Sequence, residues 1–214
     1  LVPKEKKIEL KEIIDLVKKN STTKFDESID VSLKINLKQS KGGDVSLRTI
    51  VQLPNGSGKK SKIAVLCETD KVEEAKKSGA EIVGSDDLIE KIALGKFDFT
   101  KLVCTPAMMS KIGKHGKVLG PKGLMPNPKL GTVTADVKTA VEAAKSGQVQ
   151  YRAEKTGIVQ AGVGKVSFGS EKLIENVKSF IDAVQRARPS GAKGTFIKKV
   201  SLSSTMGAGL IINI

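Results

Sequence analysis

Tryptophan is absent from this chain of 214 residues, tyrosine occurs once, and aromatic residues make up 3% of it. Recognition through a sheet of stacking rings, as in RRM-type modules, is therefore not expected. Histidine occurs once, as His115, and cysteine twice, as Cys67 and Cys104. One imidazole and two well-separated thiols cannot make a zinc tetrad of recognisable spacing, so no metal site is expected. Both cysteines end short apolar stretches, "IAVLC" and "KLVC", which suits buried, reduced thiols. No apolar run approaches the roughly 18 residues that a membrane span needs, so a soluble protein is expected. The opening residues lack the charged-then-apolar pattern of a secretory signal. The chain starts on Leu1 rather than Met, which suggests processing or an incomplete start, and a removed targeting segment would leave no trace.

Acidic residues are missing from two long stretches. Residues 100–135 hold six lysines (101, 111, 114, 117, 122 and 129) and no acid; residues 183–214 hold Arg186, Arg188, Lys193, Lys198 and Lys199 and again no acid. Together they supply eleven of the fourteen excess positive charges. Solvated surfaces normally mix their signs, so acid-free segments point to a polyanionic partner. Neither stretch has the form of a basic amphipathic helix, which argues against a membrane surface.

Three patterns follow one another. After a short helix ("EIIDLVKK"), residues 29–37 alternate strictly, with Ile29, Val31, Leu33, Ile35 and Leu37 on one face; Val45, Leu47, Val51 and Leu53 repeat the pattern. Period two means half-buried strands of an antiparallel or mixed sheet. The middle changes to continuous apolar strands ("KIAVLC", "EIVG", "KLVC") separated by helices with capping signals at Asp70, Ser85 and Asp136 and glycine stops at Gly79 and Gly95, the signature of a parallel α/β unit. From Gln148 alternation returns in "QVQYRA", "GIVQAGVGKVSF" and "TFIKKVSLSSTMGAGLIINI". Between them "SEKLIENVKSFIDAVQRARP" reads as a long helix capped by Ser170 and ended by Pro189, with Leu173, Ile174, Val177, Phe180, Ile181 and Val184 as its apolar stripe. The expected fold is an α+β split domain (1–54 with 149–214) interrupted by an inserted three-layer α/β, Rossmann-like domain (55–148), the two joined by a double-strand hinge near "LPNGSGKK" and "YRAEKTG".

No catalytic constellation is legible. "GSGKKS" and "GVGKVS" resemble the end of a phosphate loop, but Leu53 and Val159 stand where its first glycine belongs. Gly113, Gly116, Gly120 and Gly123 match neither that loop nor a GxGxxG fingerprint. His115 lies among lysines with no acid nearby in sequence to orient it. The rival reading, a nucleotide-using enzyme on the α/β domain, lacks its motif, and neither an enzyme activity nor a cofactor is expected.

The stretch "GKVLGPKGLMPNPKLGTV" (116–133) closely resembles the signature of the ribosomal protein L1 family, large-subunit proteins of the mobile stalk beside the tRNA exit site. The likeness extends through "KFDESIDVSLKINL", "GSDDLIEKI", "TPAMMSKIG", "SGQVQYRAEKTGIVQAGVGKVSF" and "PSGAKGTFIKKVSLSSTMG", in wording similar to the bacterial and organellar branch. It implies a structural protein that binds stalk ribosomal RNA (rRNA), assists movement of exit-site tRNA, represses translation by binding its own operon messenger, and is a monomer outside the ribosome, in the bacterial cytoplasm or an organelle. The family's RNA-contacting motifs fall on Lys24, Phe25 and Ser28; on Gly164, Lys165 and Ser167; and on Ser203, Ser204, Thr205, Met206 and Gly207. Hydroxyls suit phosphate and ribose 2′-OH groups, Met206 an adaptable apolar contact, and Gly207 a close backbone approach. Lys114, His115, Lys117, Lys122 and Lys129 make a second contact for RNA or tRNA in the inserted domain. The turn "NLKQSKGGDVSLRT" departs from the family pattern, keeping only its basic character through Lys38, Lys41 and Arg48.

Overall fold

The computed structural model describes residues 9–36, 47–59, 61–68, 71–95, 97–154, 156–189 and 194–212. In chain order the elements are α1 (Leu10–Lys19), β1 (Ser28–Ile35), β2 (Arg48–Gln52), β3 (Ile63–Leu66), α2 (Val72–Lys77), β4 (Ile82–Gly84), α3 (Asp86–Ala93), β5 (Lys101–Cys104), α4 (Pro106–Gly113), α5 (Gly116–Leu119), α6 (Val137–Lys145), β6 (Gln148–Arg152), β7 (Ile158–Lys165), α7 (Ser170–Arg186), β8 (Ile197–Ser204) and β9 (Leu210–Ile212). Packing divides the chain into two compact units, residues 1–59 with 147–214 and residues 60–146. Residues 55–59 and 147–148 thus pack with the first unit.

In the first unit the alternating sequence becomes a four-stranded antiparallel sheet of order β7-β1-β8-β9. Ile29, Val31, Leu33 and Ile35 point to one side, where they meet Ile13, Ile14 and Val17 of α1 and Leu173, Val177, Phe180 and Val184 of α7. Full burial of each such side chain contributes about 1.5–3 kcal/mol. β2 and β6 form a separate two-stranded ribbon, pairing Thr49 with Tyr151 and Val51 with Val149; Tyr151 meets Phe180 edge-on at 5.5 Å between ring centres. Asn176, fully buried on α7, donates from Nδ2 to the carbonyls of Gly56 (2.9 Å) and Val163 (2.8 Å) and accepts from the Asn55 N–H (3.1 Å). Gly147 (φ +87°) approaches Gly56 so closely that a Cβ on it would lie 2.4 Å from the Gly56 Cα, so only glycine serves there.

The second unit is a parallel sheet of order β4-β3-β5. Ala64, Leu66, Leu102 and Cys104 face a cluster with Leu88, Ile92, Met108, Ile112 and Leu119 of α3, α4 and α5. Ile63, Val65, Cys67 and Val103 face the other way, onto Ala75, Val137, Val141 and Ala144 of α2 and α6. Burial on both sides is why these strands read as continuous apolar runs. It also sends Cys67 and Cys104 to opposite faces, and both are free thiols.

Several sequence expectations need adjustment. β1 ends at Ile35, and Leu37, Lys38, Lys41, Val45 and Asp70 lie outside the described residues. Ser85 and Asp136 hold N-cap positions without a side-chain cap bond. The cap of α7 is Gly169, not Ser170, because the Ser170 hydroxyl donates instead to Asp15 of α1 at 2.9 Å. The glycine stops stand: Gly79 and Gly95 adopt φ of +82° and +76°. Among the described residues no helix is long and apolar enough to cross a membrane.

Candidate nucleic-acid interface

The three motifs of the split unit, distant in sequence, meet at one end of the antiparallel sheet. Ser28 opens β1 opposite Lys165, the last residue of β7, and Ile29 pairs with Gly164 on that side and with Ser204 of β8 on the other. The Thr205 hydroxyl accepts from the Ser28 N–H (3.0 Å) and donates to its carbonyl (3.3 Å), so the turn after β8 is tied to the start of β1.

Two carboxylates that the sequence reading passed over organise this end. Glu27 is 2% exposed, yet its Oε1 accepts from the hydroxyls of Ser21 and Thr23, both at 2.8 Å, and its Oε2 from the Met206 N–H at 3.2 Å. With a further bond from the Ser204 hydroxyl as the largest influence, these donors hold its pKa down to about 2, because hydrogen bonds to a carboxylate favour the charged form. Asp26 accepts from the Ser167 hydroxyl (2.9 Å) and N–H (3.1 Å), and Lys165 Nζ lies 3.6 Å away. The Ser167 hydroxyl is the chief reason why its pKa is lowered.

This network separates framework from contact surface among the expected residues. Ser204, Ser167 and Lys165 are engaged with Glu27 and Asp26. Gly164 is buried, and a Cβ there would sit 2.7 Å from Leu173 Cδ2, so its small size serves the packing of α7. Gly207 is needed for a similar reason, since its Cβ would lie 2.4 Å from Ser204 Oγ. Ser203 is half-buried on the open face of β8. Apart from Ser167, which is exposed but bonded to Asp26, what projects into solvent is Lys24, Phe25, Thr205, Met206 and Gly207. Phe25 is 55% and Met206 73% exposed, so neither belongs to the core. Large apolar side chains presented beside fixed hydroxyls and a lysine are suited to a partner with flat faces and anionic oxygens. Met206 is held by its backbone to Glu27, so its position is set before any partner arrives. Glu27 had a faint signal in "STTKFDES": an acid flanked by hydroxyls in an otherwise basic chain.

The glycine- and lysine-rich stretch of the second unit is more ordered than an open loop. It contains α5 and a 3-10 turn at Pro128–Leu130, and Leu119, Pro126 and Leu130 are buried. The Thr132 hydroxyl closes the segment by accepting from the Asn127 N–H (2.8 Å) and donating to its carbonyl (3.1 Å), and Val133 pairs with Cys104 beside the sheet. Lys114, Lys117 and Lys122 are exposed, the last with Nζ 3.9 Å above the Phe97 ring. His115 is half-buried at the N-cap of α5, where no carboxylate among the described residues bonds its imidazole. The side chain of Lys129 lies outside the described residues. Among the described residues no cluster of three or more histidine, cysteine or acidic side chains is placed to hold a metal.

A basic chain with a hydroxyl-rich end and projecting apolar side chains has the features of a nucleic-acid-binding protein. A family model described as the Ribosomal protein L1p/L10e family matches residues 17–208. The chain belongs to that family, and the match includes every residue of the three motifs. It is accordingly a ribosome-associated protein of the large subunit that binds rRNA, in a family whose role is structural and not enzymatic.

Proposed function

We propose that the end of the split unit anchors this protein to the stalk region of the large-subunit rRNA. Lys24, Phe25, Thr205, Met206 and Gly207 make the contact, and Glu27 and Asp26 hold it in shape. The observation that carries this reading is the convergence of three remote motifs on one sheet end, with Phe25 and Met206 left exposed. A prearranged surface binds more tightly than a floppy one because less ordering is required on contact. Lys114, His115, Lys117, Lys122 and Lys129 add a second contact in the α/β unit, directed at exit-site tRNA. The two chain crossings between the units bend to let it follow that tRNA; unit orientations that stay fixed in solution scattering and in several crystal forms would refute the hinge. The same anchoring surface binds the messenger of the protein's own operon and represses its translation, with the protein monomeric off the ribosome.

The test is binding to a stalk rRNA fragment and to a scrambled duplex of equal length, at about 50 to 200 mM salt. Both affinities fall with salt, at a log–log slope of roughly −0.9 per phosphate neutralised on a duplex. Preference for the stalk is expected to be at least roughly a thousandfold and to be lost with Thr205→Ala and Met206→Ala. Equal binding to both RNAs would leave only the diffuse charge, and the anchoring role would fall.

A further inference from the structure

The open face of the antiparallel sheet carries small polar residues, and over Gly162 it forms a groove of about 450 Å³ lined by Asp30, Ser32, Gln160 and Ser203 among others. Two features aim charge into it. A bulge interrupts the pairing of β1 with β7: Ile29 pairs with Gly164 but Asp30 with Gly162, skipping Val163, and such a bulge re-aims the neighbouring side chain. Lys59, on the segment that leads out of this unit, reaches the same spot. A Cβ on Gly162 would lie 3.0 Å from Asp30 Oδ1 and 3.4 Å from Lys59 Nζ. Carboxylate and ammonium therefore converge over one glycine, reaching into the space that a side chain there would take. The ion pairs among the described residues, Lys111–Asp86 and Lys165–Asp26, involve neither group.

We propose that this groove takes an unpaired guanine of the RNA partner by its Watson–Crick edge; the proposal rests on the RNA-anchoring role argued above. A carboxylate accepts best from two adjacent donors. Of the four RNA bases only guanine offers two side by side, N1–H and the N2 amine, with the O6 acceptor next to them for an ammonium. Asp30 accepts from N1–H and N2–H, and Lys59 donates to O6. A phosphate is disfavoured because Asp30 repels it. Ser32, Ser203 and the Gln160 amide supply hydrogen-bonding groups at the rim, and unstacked bases of loops and bulges are what proteins read in RNA by this edge.

The experiment measures affinity for the stalk rRNA fragment in which each unpaired guanine in turn is replaced by inosine, which lacks only the N2 amine. The proteins are wild type, Asp30→Asn, Lys59→Gln and Thr205→Ala, each checked by thermal melting, since Asp30 and Lys59 lie at the surface and their replacement leaves the core intact. One inosine is expected to weaken wild-type binding about tenfold, the discrimination of one good bidentate contact. Asp30→Asn should bind the unaltered RNA about tenfold more weakly and lose its sensitivity to that inosine; Lys59→Gln should weaken binding to both RNAs. If inosine costs wild type and Asp30→Asn the same, or no unpaired guanine matters, the guanine site is refuted, while a loss of affinity in Thr205→Ala keeps the anchoring role. If Thr205→Ala also binds like wild type, both fail together.

Discussion

Replacing Asn176 with alanine strips three hydrogen bonds from the place where α7 meets β7 and the segment leading out of the split unit. The Val163 carbonyl, 2.8 Å from Nδ2 in a buried setting, loses its side-chain partner. A buried group left unmet costs about 1–3 kcal/mol, and the partly exposed Asn55 N–H and Gly56 carbonyl, which water can reach, about 0.5–1.5 kcal/mol each. The expected loss is therefore about 2–6 kcal/mol. For a cooperative unit of this size, at roughly 3–5 °C per kcal/mol, that lowers the melting temperature by roughly 6–30 °C. Thermal unfolding followed by circular dichroism measures the total, and native-state hydrogen exchange locates it, with the Asn55 amide exchanging much faster in the variant. Asn176→Asp should be no milder, because its carboxylate turns an acceptor toward the carbonyls of Gly56 and Val163. A loss below about 1 kcal/mol in the alanine variant would mean that water replaces the amide throughout, and the account of this anchor would be wrong.

Four further outcomes follow from the geometry. Glu27 has its pKa depressed from 4.5 to about 2, so its contribution is complete above about pH 4.5 and is lost as pH falls through about 2; acid titration of wild type should show this loss, and Glu27→Gln should flatten the profile in that window while weakening stalk-RNA binding. Gly207→Ala should displace the Ser204 hydroxyl, 2.4 Å from the new Cβ, and with it the bond to Glu27, so that both RNA affinity and melting temperature fall, measured by filter binding alongside calorimetry. Gly164→Ala crowds Leu173 and should cost about 1–3 kcal/mol in urea unfolding, the usual range for overpacking. Burial pushes the Cys104 thiol up to about 11, so it should resist alkylation at pH 8 in the native protein and react once urea unfolds it; rapid native labelling would contradict this.

How much of this was legible in the sequence varied with the kind of signal. The apolar runs of β3 and β5 announced a parallel sheet because both faces of those strands are covered, and the alternation in β1 announced a sheet with one open face. The end of a strand is harder to read, because polar residues look alike whether they turn outward or inward. Ser204 and Thr205 are adjacent hydroxyls, yet one is buried against Glu27 and the other is exposed and tied to Ser28. Only the pairing of β1 with β8 decides which is which. Asp26 and Glu27 were passed over for the same reason: a carboxylate in a basic segment reads as a surface charge until the hydroxyls that surround it are known to come from 21, 23 and 204. Ser170 was given a capping role that its neighbour across the packing interface, Asp15, outcompetes. The lysine-rich stretch at 113–133 hid its anchoring, since Leu119, Pro126 and Leu130 are spaced too irregularly to register as an element.

The position of β1 in its sheet has a consequence for how the chain comes off the ribosome that makes it. Both strands that flank β1 lie beyond residue 157, so during synthesis its two edges stay open while the whole second unit is made. The contacts within residues 60–146 are closer together in sequence than those that β1 awaits, and closing a shorter loop costs less entropy. The second unit is thus expected to fold first, with the earlier-made amino-terminal segment waiting for β7 and β8. Pulse-labelled hydrogen exchange during refolding would show it as early protection of the β3 and β5 amides with those of β1 still open; simultaneous protection of both would refute this order. In the interval an unpaired strand carrying Ile29, Val31, Leu33 and Ile35 is the segment most exposed to aggregation, which makes prompt synthesis of β7 and β8, rather than the stability of the finished fold, the vulnerable step.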